Sequence, residues 1–289
     1  MSFDGVPVSG QMKIVPESSF FEQRRAPTLP APAEVRARNE ELGVASFDRP
    51  PPVIFSSLGL LVKYGGKVKL LEAQTQMMIH KQLQGKVPVP EIFGWVEDSG
   101  QGFIYMALIE GATLQEKWCD MNEDERRVIC EELKEMLKAL RALEQDSQDR
   151  YVGSLGKQPL NDIFVARRPE VRGPFVGPNA VQQFQDACEI GINGEARIVF
   201  THNDLVAPNI ILSLGQNPKV AAIIDWGQSG WLPAYWEYCK ARRVNLNPEV
   251  FSNATQEEWR TKYLPTILDP VEEESCYHPW LYFVLCWGI

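Results

Sequence analysis

Apolar residues change their spacing repeatedly along this chain, and each change marks an element. Between Glu123 and Glu144 they fall at Val128, Ile129, Leu133, Met136, Leu137, Leu140 and Leu143, the three-and-four spacing of one helical face. Asn122 in front of that run, with Glu125 three residues on, has the pattern of a capping box and sets where the helix begins. Val53-Ile54-Phe55 and Leu58 to Tyr64 are short β-type runs instead. Pro50-Pro51-Pro52 forces an extended entry to the first, which predicts a strand at a sheet edge, and Gly65-Gly66 turns the chain after the second. A helix from about Leu70 to Gln84 follows, closed by Gly85. Ile92 to Val96 and Phe103 to Ile109 then predict a hairpin around Asp98-Ser99-Gly100-Gln101-Gly102. Strand, strand, helix, strand, strand is the order of a small α+β unit.

The flanks are read the same way. Residues 1–30 are polar and dotted with proline, which predicts irregular or partly mobile chain. Pro32 to Leu42 predicts a short helix stopped by Gly43. Glu110 to Leu114 reads as a crossover into a second, helical region. There Tyr151 to Pro178 is Gly/Pro-rich loop, Asn179 to Ile190 a short helix, and Ile198 to Thr201 a strand. Ile210 to Leu212 and Val220 to Ile224 form a hairpin, Ala234 to Val244 a helix, and the C-terminal remainder is helical. The whole predicts an α+β, bilobal chain: an N-terminal extension over 1–49, a small antiparallel-sheet lobe over 50–109, and a larger, mainly helical lobe over 110–289.

Composition narrows the choice of function. The 289 residues carry a formal charge of −9 and no Lys/Arg-rich run, which argues against nucleic acid or an anionic membrane as partner. Six cysteines without a C-x-x-C pair, and only three histidines, leave little for a zinc site and read as reduced, mostly buried thiols of a cytoplasmic protein. No basic segment leads into an apolar run at the N-terminus, so no signal peptide is expected. Trp280 to Trp287 is apolar but far short of the ~20 residues of a membrane span, and reads as a packing helix.

The chemistry concentrates in Thr201-His202-Asn203-Asp204-Leu205-Val206-Ala207-Pro208-Asn209, followed by Ile223-Ile224-Asp225-Trp226. An acid five positions before an amide, then a strand ending in a second acid, is how phosphotransfer enzymes hold a nucleotide's metal ions and aim a hydroxyl at the γ-phosphate. Asp204 can accept or orient the hydroxyl proton. Asn209 and Asp225 offer hard oxygens suited to Mg²⁺, and a carboxylate closing an apolar strand needs a cation, metal or arginine, to offset its burial. His202 completes the candidate catalytic set as a catalytic group or, more in keeping with its place, a brace of the loop. Asn203 is a substrate contact or the residue that satisfies a strained turn. Lys63 stands inside an apolar strand, and Glu72, nine residues on, is its candidate partner. Kinases use such a pair to grip the α- and β-phosphates. The competing reading is a solvent-facing lysine on an edge strand. Neither G-x-G-x-x-G nor G-x-x-x-x-G-K-[ST] occurs, so Ser56-Ser57-Leu58-Gly59 must serve as an abbreviated phosphate cover. Met106, Ala107 and Ile109 occupy the stretch where an adenine would meet backbone, or else a plain core strand.

Taken in order, these blocks resemble the aminoglycoside phosphotransferase and choline kinase-like enzymes of the protein-kinase-like fold, and within them a fungal phosphotransferase branch. The resemblance runs over roughly 30–245 and includes Leu61-Val62-Lys63-Tyr64-Gly65, Val87-Pro88-Val89-Pro90-Glu91, Gly173-Pro174-Phe175 and Tyr235-Trp236-Glu237-Tyr238. It implies ATP and Mg²⁺ as cofactors, Asp204 as the catalytic aspartate, Asn209 and Asp225 on the metal, and Lys63 with Glu72 on the phosphates. One departure stands out: the family usually has Gly or Ala where Asn203 is. The expected activity is ATP-dependent phosphorylation of a small-molecule hydroxyl by a monomer or weak dimer. The alternatives are a pseudokinase serving as a binding protein, and a kinase fold reused for non-phosphoryl chemistry. The resemblance does not extend to an acceptor.

Overall fold

Five short strands in the first part of the chain pair into one antiparallel sheet. They are Lys13–Ile14 (β1), Val53–Phe55 (β2), Leu60–Gly65 (β3), Ile92–Asp98 (β4) and Gln101–Ala107 (β5), in the order β1-β4-β5-β3-β2. The computed structural model describes residues 10–44, 46–192 and 196–286, and divides after Glu110 into two compact units, with Gly85–Val87 counted in the second. In the first unit the sheet is covered on both faces, as the alternation of side chains along a strand allows. Leu60, Val62 and Tyr64 join Phe93, Phe103 and Tyr105 in one core with Phe20, Leu29 and Val35. Ile104, Met106 and Ala73 build the opposite core beneath helix Leu71–Gln82.

Here the first thirty residues depart from expectation. From Lys13 on they contain β1 and a single helical turn, Ser19–Glu22 (α1), ahead of Pro32–Glu41 (α2), while residues 1–9 lie outside the described chain. Ser19 N–H donates to the Glu91 carboxylate at 2.9 Å, and Phe20 is fully buried. A two-residue strand has no periodicity to read, so only tertiary contact reveals it. The hairpin is also tighter than predicted. Asp98 pairs with Gln101, so the turn is Ser99-Gly100 alone, at φ +53° and +76°. Two positive φ angles match the twist of the strands they join. Helix Leu71–Gln82 (α3) is shorter than expected, and β5 stops at Ala107.

The second unit opens with a short strand, Ala112–Thr113 (β6), a turn of helix Leu114–Lys117 (α4) and the long helix Glu123–Arg141 (α5). The capping box of α5 is complete: Glu125 N–H donates to Asn122 Oδ1 at 3.0 Å, and Asn122 N–H to the Glu125 carboxylate at 2.8 Å. Its buried seam is Ile129, Cys130, Leu133, Leu137 and Leu140. Val128 was expected there but is exposed, because five residues before Leu133 is the flank of a 3.6-residue helix. The region expected to be loop is partly ordered by pairing. Tyr151–Val152 (β7) and Phe175–Val176 (β8) are antiparallel, and helix Ala180–Cys188 (α6) follows.

Ile198–Thr201 (β9) pairs with Gly230–Pro233 (β12), and Ile210–Leu212 (β10) lies between β6 and Val220–Ile223 (β11). A Cβ at Gly230 would stand 2.9 Å from the Gly153 carbonyl, so only glycine lets the 151–160 segment close on β12. Helix Trp236–Arg243 (α7) packs Trp236 against Phe184, Trp280 and Phe283. The remainder is Asn253–Glu258 (α8), Leu264–Ile267 (α9) and His278–Cys286 (α10). The predicted packing helix at the C-terminus is thus present as α10, and its expected last residue, Trp287, lies outside the described residues. No helix among the described residues is long and apolar enough to cross a membrane.

The cysteines give a direct check on this packing. Cys119 and Cys286 are exposed; Cys130 and Cys188 are buried, and burial pushes the Cys130 thiol up to about 12 and that of Cys188 higher still. Reaction needs the thiolate, so at neutral pH a thiol reagent is expected to modify Cys119 and Cys286 quickly and Cys130 and Cys188 only on unfolding. Peptide mapping that finds Cys130 reacting as fast as Cys119 would contradict the core described here.

Candidate active site

Two loops of the second unit carry the motif, residues 202–209 between β9 and β10 and residues 224–229 between β11 and β12. His202 ties them together. Its Nδ1 accepts from the Asp204 N–H at 3.2 Å, and a backbone nitrogen can only donate, so the proton sits on Nε2, which donates to the Ile224 carbonyl at 2.9 Å. The ring is fully buried and stands edge-on to Trp226, 4.5 Å between centroids. Both nitrogens are thereby used by the backbone, and His202 contributes by joining the loops rather than by touching a substrate.

Asn209 makes the second tie. Its Nδ2 donates to the Asp204 carbonyl at 2.8 Å and to Asp204 Oδ2 at 3.2 Å, while its own carbonyl accepts from the Ile224 N–H at 2.9 Å. Ile224 is therefore held at both ends of its backbone. The next residue, Asp225, takes the left-handed conformation at φ +62°, ψ +62°. A side chain there costs on the order of 1–2 kcal/mol, and aspartate is among the residues that tolerate it best. Asp204, Asn209 and Asp225 are thus brought together by one short set of hydrogen bonds within a single unit.

The donor set fits Mg²⁺. With its amide nitrogen committed to Asp204, Asn209 keeps Oδ1 without a hydrogen bond among the described residues, and Asp225 adds a carboxylate: two hard oxygens. Among the described residues no group of three or more His, Cys, Asp or Glu is arranged to hold a metal, so an ion here would fill its shell from phosphate oxygens and water, as Mg²⁺ commonly does.

In the first unit Lys63 and Glu72 are paired. Lys63 Nζ donates to both carboxylate oxygens at 2.7 and 2.9 Å, and the Glu72 side chain is 3% exposed. The solvent-facing reading of Lys63 therefore fails. The 3₁₀ turn Ser56–Leu58 ends in Gly59 at φ +56°, and Arg25 Nη1 donates to the Leu58 and Gly59 carbonyls at 3.3 and 3.4 Å. Met106 points into the core beneath α3. The Ala107 and Leu108 N–H groups donate to the Glu91 and Gly59 carbonyls, whereas the Ile109 peptide has no hydrogen bond among the described residues. Of the three positions expected near an adenine, only Ile109 has both backbone groups available.

Sequence reasoning missed a buried polar cluster beneath the 202–209 loop. Asp162 is fully buried, with Oδ2 accepting from Asn203 Nδ2 (2.7 Å) and Trp236 Nε1 (2.7 Å) and 3.1 Å from Lys240 Nζ; its Oδ1 accepts from the Phe164 N–H at 2.6 Å. Lys240, 2% exposed, also donates to Gln228 Oε1 at 2.7 Å. Asn203 sits at φ +63°, its N–H donating to Glu237 Oε1 at 2.8 Å and its Nδ2 also to the Gln228 carbonyl at 3.0 Å. One signal was available: Glu237 and Lys240 stand among Trp236, Tyr238, Cys239 and Ala241 in the buried part of one helix, where a charge must find an opposite charge.

The family model of the phosphotransferase enzyme family matches residues 65–269. The chain belongs to that family. The aminoglycoside 3'-phosphotransferase of Enterococcus faecalis is 26% identical to this family member over 200 residues, 65% of this chain and 72% of that protein. Among solved structures, the streptomycin–ATP complex of APH(2")-IIa superposes with a TM-score of 0.52 at 15% identity, covering 90% of this chain and 89% of that one. A thermostable mutant of aminoglycoside phosphotransferase APH(4)-Ia in its apo form gives 0.51 at 15%, covering 88% of each. These likenesses establish the protein-kinase-like, α+β fold of the phosphotransferase family member, with its five-stranded antiparallel sheet and mainly helical second unit.

Proposed function

We propose that this phosphotransferase moves the γ-phosphoryl group of ATP, taken as its Mg²⁺ complex, to a hydroxyl group of a small molecule. The observation that carries the reading is the clamp on Asp204, Asn209 and Asp225: three oxygens of the right kind, fixed by His202 and by the peptide of Ile224. Asp204 takes or orients the acceptor's proton. Asn209 and Asp225 hold Mg²⁺, which when bound neutralises charge on the transferring phosphate. Lys63, kept in place by Glu72, serves the phosphates, and the backbone of Ile109 serves the base. The named relatives support the same class, since one is an aminoglycoside 3'-phosphotransferase and the other is described with streptomycin and ATP.

MgATP should therefore stabilise the protein. A ligand at a hundred times its Kd adds roughly 2.7 kcal/mol, which a thermal melt resolves easily. ATP without metal should give a smaller shift, and Mg²⁺ without nucleotide almost none. No shift with MgATP at millimolar concentration would end this reading. The acceptor is then found by incubating a metabolite extract with enzyme and MgATP and searching by mass spectrometry for a phosphate-sized mass gain.

A further inference from the structure

Resting on that reading, we infer that Asp162 and Lys240 are positioning residues for Asp204, and that they act through Asn203. Asn203 is the residue directly before Asp204, and its left-handed backbone sets the direction in which the chain delivers the aspartate. Asparagine tolerates this conformation, but the conformation alone requires no side chain, and glycine adopts it freely. What the side chain adds is an anchor. Its amide nitrogen is shared between Asp162 Oδ2 and the Gln228 carbonyl, so one group touches both the 161–164 segment and the turn that follows Asp225.

The anchor itself is rigid for reasons of charge. Asp162 is fully buried, and both its oxygens are engaged, by Phe164 N–H on one side and by Asn203, Trp236 and Lys240 on the other. Lys240 is held by Asp162 and Gln228 together. Neither charge can leave without stranding the other in the core. Two further bonds fasten the same segment to the post-Asp225 turn: Asn161 Nδ2 donates to the Gly227 carbonyl and Ile163 N–H to Gln228 Oε1, both at 2.8 Å. Asn203 is thus the point at which the Asp204 and Asp225 loops share a common, rigid support.

The test separates positioning from filling. Asn203→Gly keeps the left-handed backbone and removes the anchor. With MgATP as substrate and water as acceptor, kcat is expected to fall about tenfold or more while KM for MgATP stays within about twofold, because a small misplacement of the reacting group is costly even when binding is intact. Amide hydrogen exchange across 202–206 should speed up more than exchange in α5, which makes no bond to Asn203. Two double variants locate the cause. Asp162→Asn with Lys240→Met keeps one acceptor oxygen for Asn203 but gives up the charges that make the anchor rigid, and should lower kcat part of the way towards Asn203→Gly. Asp162→Ala with Lys240→Met removes the acceptor as well and should resemble Asn203→Gly. If Asn203→Gly leaves both kcat and exchange as in the wild type, the inference is wrong, whatever the doubles do. If wild-type protein neither binds nor hydrolyses MgATP, the proposed function fails, and the exchange comparison alone decides whether Asn203 orders the loop.

Discussion

Replacing Asp204 with alanine is expected to lower turnover by on the order of 10²–10⁴ while leaving MgATP binding nearly unchanged. The reason lies in which atoms of Asp204 hold the loop. Its N–H is bonded to His202 and its carbonyl to Asn209, and both bonds survive truncation of the side chain. Only the weaker of the two contacts from Asn209, at 3.2 Å to Oδ2, is lost. The substitution therefore removes a carboxylate from an otherwise intact loop, and the loss reports chemistry rather than unfolding. Initial rates of phosphate release, read beside a thermal melt with MgATP, give both halves of the result. Retained turnover would remove Asp204 from the role of proton acceptor; a lost MgATP-dependent shift would make it a binding residue instead.

Much of this site was legible because the motif is local. Asp204 and Asn209 lie within one loop, and Asp225 ends a strand whose apolar run is plain in the sequence, so spacing alone brought the three into view. Lys63 was legible for a different reason: a charge inside an apolar strand needs a partner, and Glu72 is on the next helix. The same reasoning failed wherever the partner was remote. Asp162 belongs to a Gly/Pro-rich stretch with no periodicity, and its partners lie 41, 74 and 78 residues away at Asn203, Trp236 and Lys240. Arg25 has the same difficulty, since its contacts at Leu58 and Gly59 come from a segment read as irregular. Periodicity finds elements that are long enough to repeat. It is silent on two-residue strands such as β1 and β7, which exist only because something else pairs with them. Asn203 joins the two cases: the departure from Gly or Ala was visible at once, and its meaning required the buried carboxylate beneath it.

Asp225→Asn should have a comparable effect on rate through a different step, the use of the metal. Asparagine is the substitution to make, because residue 225 is left-handed at φ +62° and alanine would add backbone strain to the loss of charge. The flanking peptide is also unaffected: the Ile224 N–H and carbonyl stay bonded to Asn209 and His202. The substitution takes one negative charge away from an ion that would supply several kcal/mol of transition-state stabilisation, so a loss on the order of 10³ in turnover is expected. Unlike Asp204→Ala, this variant should also forfeit the difference between ATP and MgATP in the thermal melt, and excess Mg²⁺ should recover part of the rate. The two substitutions together divide the site. One removes the group that handles the proton and keeps metal dependence, while the other weakens metal dependence and keeps that group. Wild-type sensitivity to Mg²⁺ in Asp225→Asn would place the metal elsewhere and leave Asn209 without its proposed role.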